Sequence, residues 1–302
     1  MSQIQPVKKA IIPVAGLGTR MLPATKAIPK ELLPVTDKPV IQHVVEEAIA
    51  AGINEIILVT RSGKEAIENH FDAHFELETQ LERKGKDIVL TSIKDIIPPH
   101  VQVISIRQPE ALGLGHAILC ARRVIGDQPF AVMLPDVLVM PPSAQGAAND
   151  FSNMVNRWDQ SGHGQIMVEA VPDDQIHQYG IADVGGIELG VGKTAPLSAM
   201  VEKPKREDAP SNLAVVGRYV LPNQVMQLLK NTQPGAGGEI QLTDALDELL
   251  KHDSMDAYRM SSITHDCGNK LGCLKANIAM GLEHPELREG LKSYIKTLAQ
   301  ID

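Results

Sequence analysis

Apolar and polar positions along the first half of the chain switch repeatedly between a strand-like and a helical period. Lys9-Ala10-Ile11-Ile12-Pro13-Val14 is a short apolar run that empties into glycines, which predicts a buried strand. Val40, Ile41, Val44, Val45, Ala48 and Ile49 then recur at helical spacing, with Gln42, His43, Glu46 and Glu47 on the other face and Gly52 as the stop. Ile56-Ile57-Leu58-Val59 predicts a second buried strand, and a helical segment follows around Lys64 to Phe71. Val101 to Ile106 and Phe130 to Leu134 predict further strands, separated by a helix from about His116 to Arg122. Strands and helices alternating at this pitch predict an α/β fold with a doubly wound, mostly parallel sheet and helices on both faces. Ligands of such sheets bind beyond the carboxyl ends of the strands. The glycine loop after Val14, the segment Gln108 to Gly115, and Asp136 each follow a predicted strand, so all three are expected at that edge.

The second half is patterned differently. Pro141 to Asn149 is a loop by composition, and Phe151 to Trp158 predicts a helix. Gln165 to Ala170, Ile181 to Val184, Leu197 to Val201 and Ala214 to Leu221 predict shorter strands broken by turns, a mixed and partly antiparallel extension suited to holding a second substrate. Thr243 offers an N-cap for a short helix carrying Ala245, Leu246, Leu249 and Leu250. Leu271, Leu274, Ile278 and Leu282 predict another helix. Pro285 opens a last one striped by Leu287, Leu291, Ile295 and Leu298. That stripe can cover the sheet or meet another subunit, and covering its own core is the default expectation.

Composition narrows the classes. With 302 residues and 43% hydrophobic content, the chain can bury a large core. A formal net charge of -8, with dispersed cations, argues against a nucleic-acid binder. No apolar run is long enough to span a membrane, and the start MSQIQPVKK lacks a signal-type apolar core. Cys120, Cys267 and Cys273 are odd in number and lack metal-type spacing, which predicts reduced thiols in a cytoplasmic protein. Cys267 is expected to pack rather than react.

The richest chemistry lies in AGLGTRMLPATKAIPKELLP, from Ala15 to Pro34. Glycines let backbone N–H groups approach anionic oxygens closely, Arg20 supplies a planar fork for phosphate, and Lys30 adds a point charge. The loop is therefore expected to take a polyphosphate. It is not the dinucleotide fingerprint, which needs glycine at Met21 and a helix where Pro23 and Pro29 stand. Gly192-Lys193-Thr194 is not a Walker loop either, since Ile187 replaces its first glycine and Ala195-Pro196 follows.

Taken with LGLGHAILCA at Leu112, MLPDV at Met133, VEKPK at Val201, VGRYVL at Val216, PGAGGEIQLTDAL at Pro234 and HDCGNKLG at His265, the loop resembles the sugar-phosphate nucleotidyltransferases over nearly the whole chain. The combination, in order, is similar to the bacterial uridylyl-transferring subgroup. The resemblance implies a Rossmann-like fold with a small β-rich sugar-binding extension and C-terminal helices. It also implies Mg²⁺-assisted synthesis of UDP-glucose and pyrophosphate from UTP and glucose 1-phosphate. It implies a nucleotidyltransferase domain over 7–268, with a nucleotide half of about 7–140 and a sugar-phosphate half of about 141–268. A helical segment of 269–302 and a homo-oligomer, dimer or tetramer, complete the expectation. By the same resemblance Ala15, Gly16, Gly18, Thr19, Gln108 and Gly113 hold the nucleotide, and Arg20 and Lys30 serve as triphosphate cations. Asp136 and Asp266 bind metal. Gly180, Glu202 and Lys203 form the sugar-phosphate site, with Lys203 meeting the phosphate.

Thr19 and Arg20 distinguish active members from non-catalytic paralogues that lack the pair. Met226 stands where relatives often carry tryptophan, which bears on local packing or assembly. Rival readings are the same reaction with dTTP or ATP, a regulatory non-catalytic subunit, and a nucleotide-sugar binding protein. Taken from the residues alone, Gln108 cannot tell uracil from cytosine, because a free amide can turn to match either edge; discrimination needs a backbone partner of fixed polarity, and the Ala15-Gly16 turn is the candidate.

Overall fold

The computed structural model describes residues 4–140 and 149–299. Strand β1 (Lys9–Pro13) buries Ala10, Ile11 and Ile12 completely, because it has neighbours on both sides and side chains packed on both faces. The glycine loop leads through three short 3-10 turns to a two-residue pair, β2 (Pro34–Val35) and β3 (Lys38–Pro39), and then to α1 (Val40–Ala50). The polar face of α1 is not simply solvated: Gln42 is buried, and Glu47 reaches a buried arginine far along the chain. β4 (Glu55–Thr60) and α2 (Glu65–Phe71) follow as the pattern predicts. Two surface helices, α3 (Phe75–Arg83) and α4 (Asp87–Lys94), come next where the pattern suggests nothing. They pack on each other and bury no residue, so their apolar positions carry no core signal.

β5 (Gln102–Arg107) leads to α5 (Leu114–Cys120), which breaks before a single further turn, α6 (Arg122–Ile125). β6 (Phe130–Met133) and β7 (Val137–Met140) close the first half. Of the expected loop from Pro141 to Asn149, residues 141–148 lie outside the described residues. The second half then runs through α7 (Asp150–Ser161), β8 (Gly164–Ala170), β9 (Gly180–Asp183), β10 (Thr194–Pro196), β11 (Ala199–Glu202) and β12 (Leu213–Leu221). Leu197 and Ser198 are not in a strand as expected. There the chain changes neighbours, the Leu197 N–H bonding Met255 and the Ser198 N–H bonding Asp183. α8 (Gln224–Asn231), α9 (Leu242–Leu250), β13 (Met255–Arg259), β14 (Ile263–Asp266), α10 (Lys270–Glu283) and α11 (Arg288–Leu298) complete the order. Thr243 does not cap α9: Gln241 holds the cap position, and the Thr243 hydroxyl lies inside the helix, buried without a partner.

One mixed sheet of ten strands organises the molecule, in the order β10-β13-β8-β12-β6-β1-β4-β5, with β9 and β11 branching from β12. β6, β1, β4 and β5 are parallel, as are β8 and β13, while β12 joins the two sets antiparallel. Alternation along β1 separates two core clusters. Ile11 faces the side covered by α5, α8 and α9, and Ala10 and Ile12 face α1 and α7. Met226 is buried in the first cluster, filling its position with apolar volume.

The C-terminal helices depart from the default expectation. α11 buries no residue and packs on α10 rather than on the sheet, while Leu271, Leu274 and Ile278 of α10 are 61%, 59% and 39% exposed. The opposite side of α10 does pack, Ala276 lying against Val35, Val40, Leu138 and Cys267.

A buried carboxylate ties α7 to the segment between β13 and β14. Asp150 accepts from the Tyr258 hydroxyl at 2.7 Å, the Ser261 and Ser262 N–H groups at 3.0 and 2.8 Å, and the Ser262 hydroxyl at 2.5 Å. Burial opposes its ionisation, but the donors of Ser262, Tyr258 and Ser261 outweigh it and hold the carboxyl below its ordinary value. A depressed carboxyl stabilises the fold above its unfolded pKa, and that contribution disappears as pH falls through the folded value. Asp150→Asn sets an amide N–H against these donors and is expected to cost about 1–3 kcal/mol at pH 7. The gap from the parent should shrink as pH falls below about 4. Urea unfolding at pH 7 and pH 3 checks both signs; a gap independent of pH contradicts the assignment.

Candidate active site

The strand that ends at Pro13 delivers Ala15 to Arg20 to the carboxyl edge of the sheet. Gly18 sits at φ 68°, where a side chain would be strained, and a Cβ there would stand 3.2 Å from the Lys30 Cβ. Lys30 thus lies against the loop, its Nζ 3.8 Å from the position of a Cβ at Gly16. The Thr25 hydroxyl donates to the Gly18 carbonyl at 2.7 Å and braces the turn, while Thr19 opens a 3-10 turn at the surface. Behind the loop, fully buried Glu31 accepts from the buried Lys64 Nζ at 2.7 Å, pinning the residue beside Lys30 to the end of the β4 turn. Burial raises the Glu31 carboxyl against the pull of Lys64. No local signal marks this pair, since its members are 33 residues apart.

Four of the expected residues meet at one point. Lys30 Nζ lies 2.5 Å from Asp136 Oδ2, Arg20 Nη2 lies 3.6 Å from the same oxygen, and Arg20 Nη1 donates to Asp266 at 2.9 Å. Asp136 follows β6, and Asp266 ends β14, whose pairing with β7 sets it opposite Val137. Gly268 is the floor of this cluster: a Cβ there would fall 2.5 Å from Arg20 Nη2, 2.6 Å from Asp136 Oδ2 and 2.9 Å from Asp266 Oδ1. Two carboxylates therefore face one small space beside two cations. That donor set fits a divalent cation of the Mg²⁺ kind, which takes one or two carboxylates and fills its remaining positions with water and phosphate oxygen. Among the described residues no group of three or more protein ligands could hold a metal without such help. Cys267, between the two aspartate-bearing turns, donates its N–H to the Asp136 carbonyl at 2.7 Å. Burial, with neighbouring Cys273, Asp266 and Asp136, pushes its thiol up to about 12, so it packs and does not react.

One cavity opens on the cluster, and a second lies against the start of the glycine loop. The larger, about 720 Å³, is lined by Arg20, Asp136, Asp266, Gly180, Glu202 and Lys203. Strand register explains how Gly180, Glu202 and Lys203 come together: Gly180 in β9 pairs directly with Glu202 in β11. A Cβ at Gly180 would approach the Glu202 carboxylate to 3.2 Å. Lys203 follows in the left-handed region, with its ammonium 3.4 Å from Glu202 and largely exposed. Sequence spacing misses Tyr179 and Glu169 in the same wall. Burial raises both groups, and the Asp266 and Glu169 carboxylates lift Tyr179 further.

The smaller cavity, about 220 Å³, is lined by Ala15, Arg61, Ser62, Arg107, Gln108, Pro109 and Ala111. Gly113 caps α5 at φ 93°, where a Cβ would stand 2.7 Å from Glu239. The Gln108 amide is not free to turn: its Nε2 donates to the Gly113 carbonyl at 3.1 Å, and a carbonyl can only accept. Ala15 belongs to the small cavity and Arg20 to the large one, so a single loop spans both.

Residues 9–280 match the nucleotidyl transferase family model. The chain is 53% identical over 290 residues to the UTP–glucose-1-phosphate uridylyltransferase of Escherichia coli K12, covering 96% of this chain and 95% of that enzyme. The chain belongs to the nucleotidyl transferase family, on its UTP–glucose-1-phosphate uridylyltransferase branch. A UTP-bound UDP-glucose pyrophosphorylase from Acinetobacter baumannii superposes with a TM-score of 0.89 at 55% identity, over 96% of this chain and 98% of that one. A UDP-glucose pyrophosphorylase complexed with UDP-glucose superposes at 0.82 and 38% identity, over 92% and 100%. The mixed, mostly parallel sheet is thus the nucleotidyltransferase fold, as the sequence resemblance implies.

Proposed function

We propose that the chain makes UDP-glucose and pyrophosphate from UTP and glucose 1-phosphate. One observation carries the assignment of roles: the loop from Ala15 to Arg20 joins a small cavity holding Gln108 to a larger one holding Glu202 and Lys203. Its span suits a nucleotide whose base enters the small cavity and whose phosphates lie across Gly16, Gly18 and Thr19. The Ala15-Gly16 backbone, Gln108 and Gly113 hold the uracil edge. Arg20 and Lys30 neutralise the triphosphate. Gly180 and Glu202 receive the glucose hydroxyls, and Lys203 the sugar phosphate. The 7–140 and 141–268 portions then act as nucleotide and sugar halves of one sheet.

The phosphate of glucose 1-phosphate attacks the α-phosphorus of UTP, a P–O bond forms, and the bond to the leaving pyrophosphate breaks in line. The nucleophile is already an anion, so no general base is required, in keeping with the inert Cys267. The two substrates repel, and the work of Arg20, Lys30 and Lys203 is to hold them aligned despite that repulsion. Asp136 and Asp266 would hold Mg²⁺, which when bound neutralises phosphate oxygens and polarises the α-phosphoryl group. A homo-oligomer, dimer or tetramer, would use the exposed Leu271, Leu274 and Ile278 face of α10; sedimentation velocity of the parent and Leu274→Asp reads it. No helix among the described residues is long and apolar enough to cross a membrane, and we place the enzyme in the cytoplasm.

Pyrophosphate release with glucose 1-phosphate and each of UTP, dTTP, CTP and ATP tests the function. UTP should be strongly preferred over CTP and ATP, because a wrong base leaves buried groups unpaired at about 1–3 kcal/mol each. Preference over dTTP should be weaker, since thymine presents the same edge. Equal use of CTP and UTP overturns the assignment. Any turnover by the purified chain removes the regulatory-subunit alternative.

A further inference from the structure

His116 is half-buried in the first turn of α5, and its ring takes no part in the reaction described above. Its Nδ1 lies 3.1 Å from Gln108 Nε2, and its Nε2 lies 3.9 Å from the Cys120 sulfur. Gln108 Nε2 carries two hydrogens. One goes to the Gly113 carbonyl, so the other is left for His116. Nδ1 must then present its lone pair, which puts the ring hydrogen on Nε2, facing Cys120 Sγ. The alternative set is inconsistent: turning the amide would place Oε1 against the Gly113 carbonyl, two acceptors in contact. Gln108 Oε1 accepts from no described residue and is not sealed from solvent, and Gln108 lines the small cavity.

We propose that His116 is a positioning residue for base choice, which with the Gly113 carbonyl locks the Gln108 amide so that only its acceptor oxygen meets the base. The inference rests on the uridylyltransferase function proposed above. Uracil offers an N3–H donor to that oxygen, whereas cytosine offers a lone pair at the same position. The lock therefore supplies the fixed polarity that a free glutamine lacks. Discrimination between the two pyrimidines arises behind the base, from an imidazole that need not touch it.

Two variants separate the acceptor from the ring. His116→Phe keeps an aromatic ring and removes the nitrogen lone pair, while His116→Asn gives up the ring but can place an acceptor near Nδ1. The ratio of kcat/KM for UTP to that for CTP should fall at least about tenfold in His116→Phe, mainly through a higher KM for UTP with kcat little changed. His116→Asn should stay within about threefold of the parent ratio, the scale of a partly preserved hydrogen bond. A parent-like ratio in folded His116→Phe overturns the proposal. So does an equal loss in both variants, which would mark ring packing alone. Imidazole ¹⁵N spectra of the unmodified chain, with His116 assigned by its loss in His116→Asn, should show the Nε2–H tautomer at neutral pH; the Nδ1–H tautomer also overturns it. If the unmodified chain makes no UDP-glucose, the proposed function fails, and the spectra still decide whether the lock exists.

Discussion

Asp136→Asn is expected to lower kcat by at least about a hundredfold while leaving the protein folded, the scale of losing a key electrostatic contact at the transition state. The carboxylate is compact and mostly buried, 2.5 Å from Lys30 and 3.6 Å from Arg20, and it shares the space over Gly268 with Asp266. An amide keeps the shape and removes the charge that would draw a divalent cation between these groups and the phosphates. It also leaves Lys30 and Arg20 with less compensation, so nucleotide can still bind through them. The loss should therefore fall on kcat more than on the KM for UTP. Asp266→Asn should cost less, because that carboxylate is about one-third exposed and pairs with an arginine that is itself mostly solvated. Pyrophosphate release measured across a Mg²⁺ titration reads both variants. Near-parental turnover in a folded Asp136→Asn protein would sink the metal-site assignment, as would a larger loss in Asp266→Asn.

The sheet strands of the first half and α1 were legible because each is built from a local rhythm. Four parallel strands with short apolar runs, and an α1 whose apolar face is unmistakable, announce themselves without knowledge of their neighbours. α3 and α4 announce nothing, because they bury nothing: Phe75 and Ile88 are 83% and 88% exposed, so apolar residues there carry no information about a core. The same reasoning misleads at the other end of the chain. Leu287 and Leu298 look like core positions by spacing, yet both remain exposed at the two ends of α11. Periodicity says that a helix has an apolar stripe, but not what covers it.

The candidate site divides along a similar line. Residues whose chemistry is carried by a contiguous motif, such as Gly18, Arg20 and Lys30, were singled out as candidates by the motif itself. Gly180, Glu202 and Lys203 came from the resemblance, and their physical reason appears only in the β9–β11 register. The supports were invisible. Glu31 looks like an ordinary surface glutamate beside a loop, and Lys64 like the polar start of a helix, until folding buries them together. The resemblance pointed to Gln108 as a candidate base contact, but the orientation of its amide depends on a carbonyl and an imidazole five and eight residues on.

Arg218 is the largest of these hidden supports, and its removal should be the most costly single change outside the site. It is fully buried in β12, and all five of its guanidinium N–H groups are used. Nε and Nη2 grip the Glu47 carboxylate at 3.0 and 2.7 Å. Nη1 donates to the carbonyls of Leu134 and Gly217 at 3.1 and 3.3 Å, and Nη2 to that of Val137 at 2.7 Å. Leu134 and Val137 bracket Asp136, so this arginine holds the turn that presents the carboxylate. Arg218→Met should destabilise the fold by about 3–5 kcal/mol, because Glu47 is left as an uncompensated, nearly buried charge. Replacing both partners, as in Glu47→Leu with Arg218→Met, should recover much of that stability, since well-packed apolar pairs often match buried ion pairs. It should not recover kcat, because the Leu134 and Val137 carbonyls still lack their donor and the Asp136 turn is no longer held. Denaturant unfolding and steady-state kinetics on the two proteins separate these effects. A double variant that regains stability and activity together would show that Arg218 only balances a charge; one that regains stability alone identifies it as the support of the Asp136 turn.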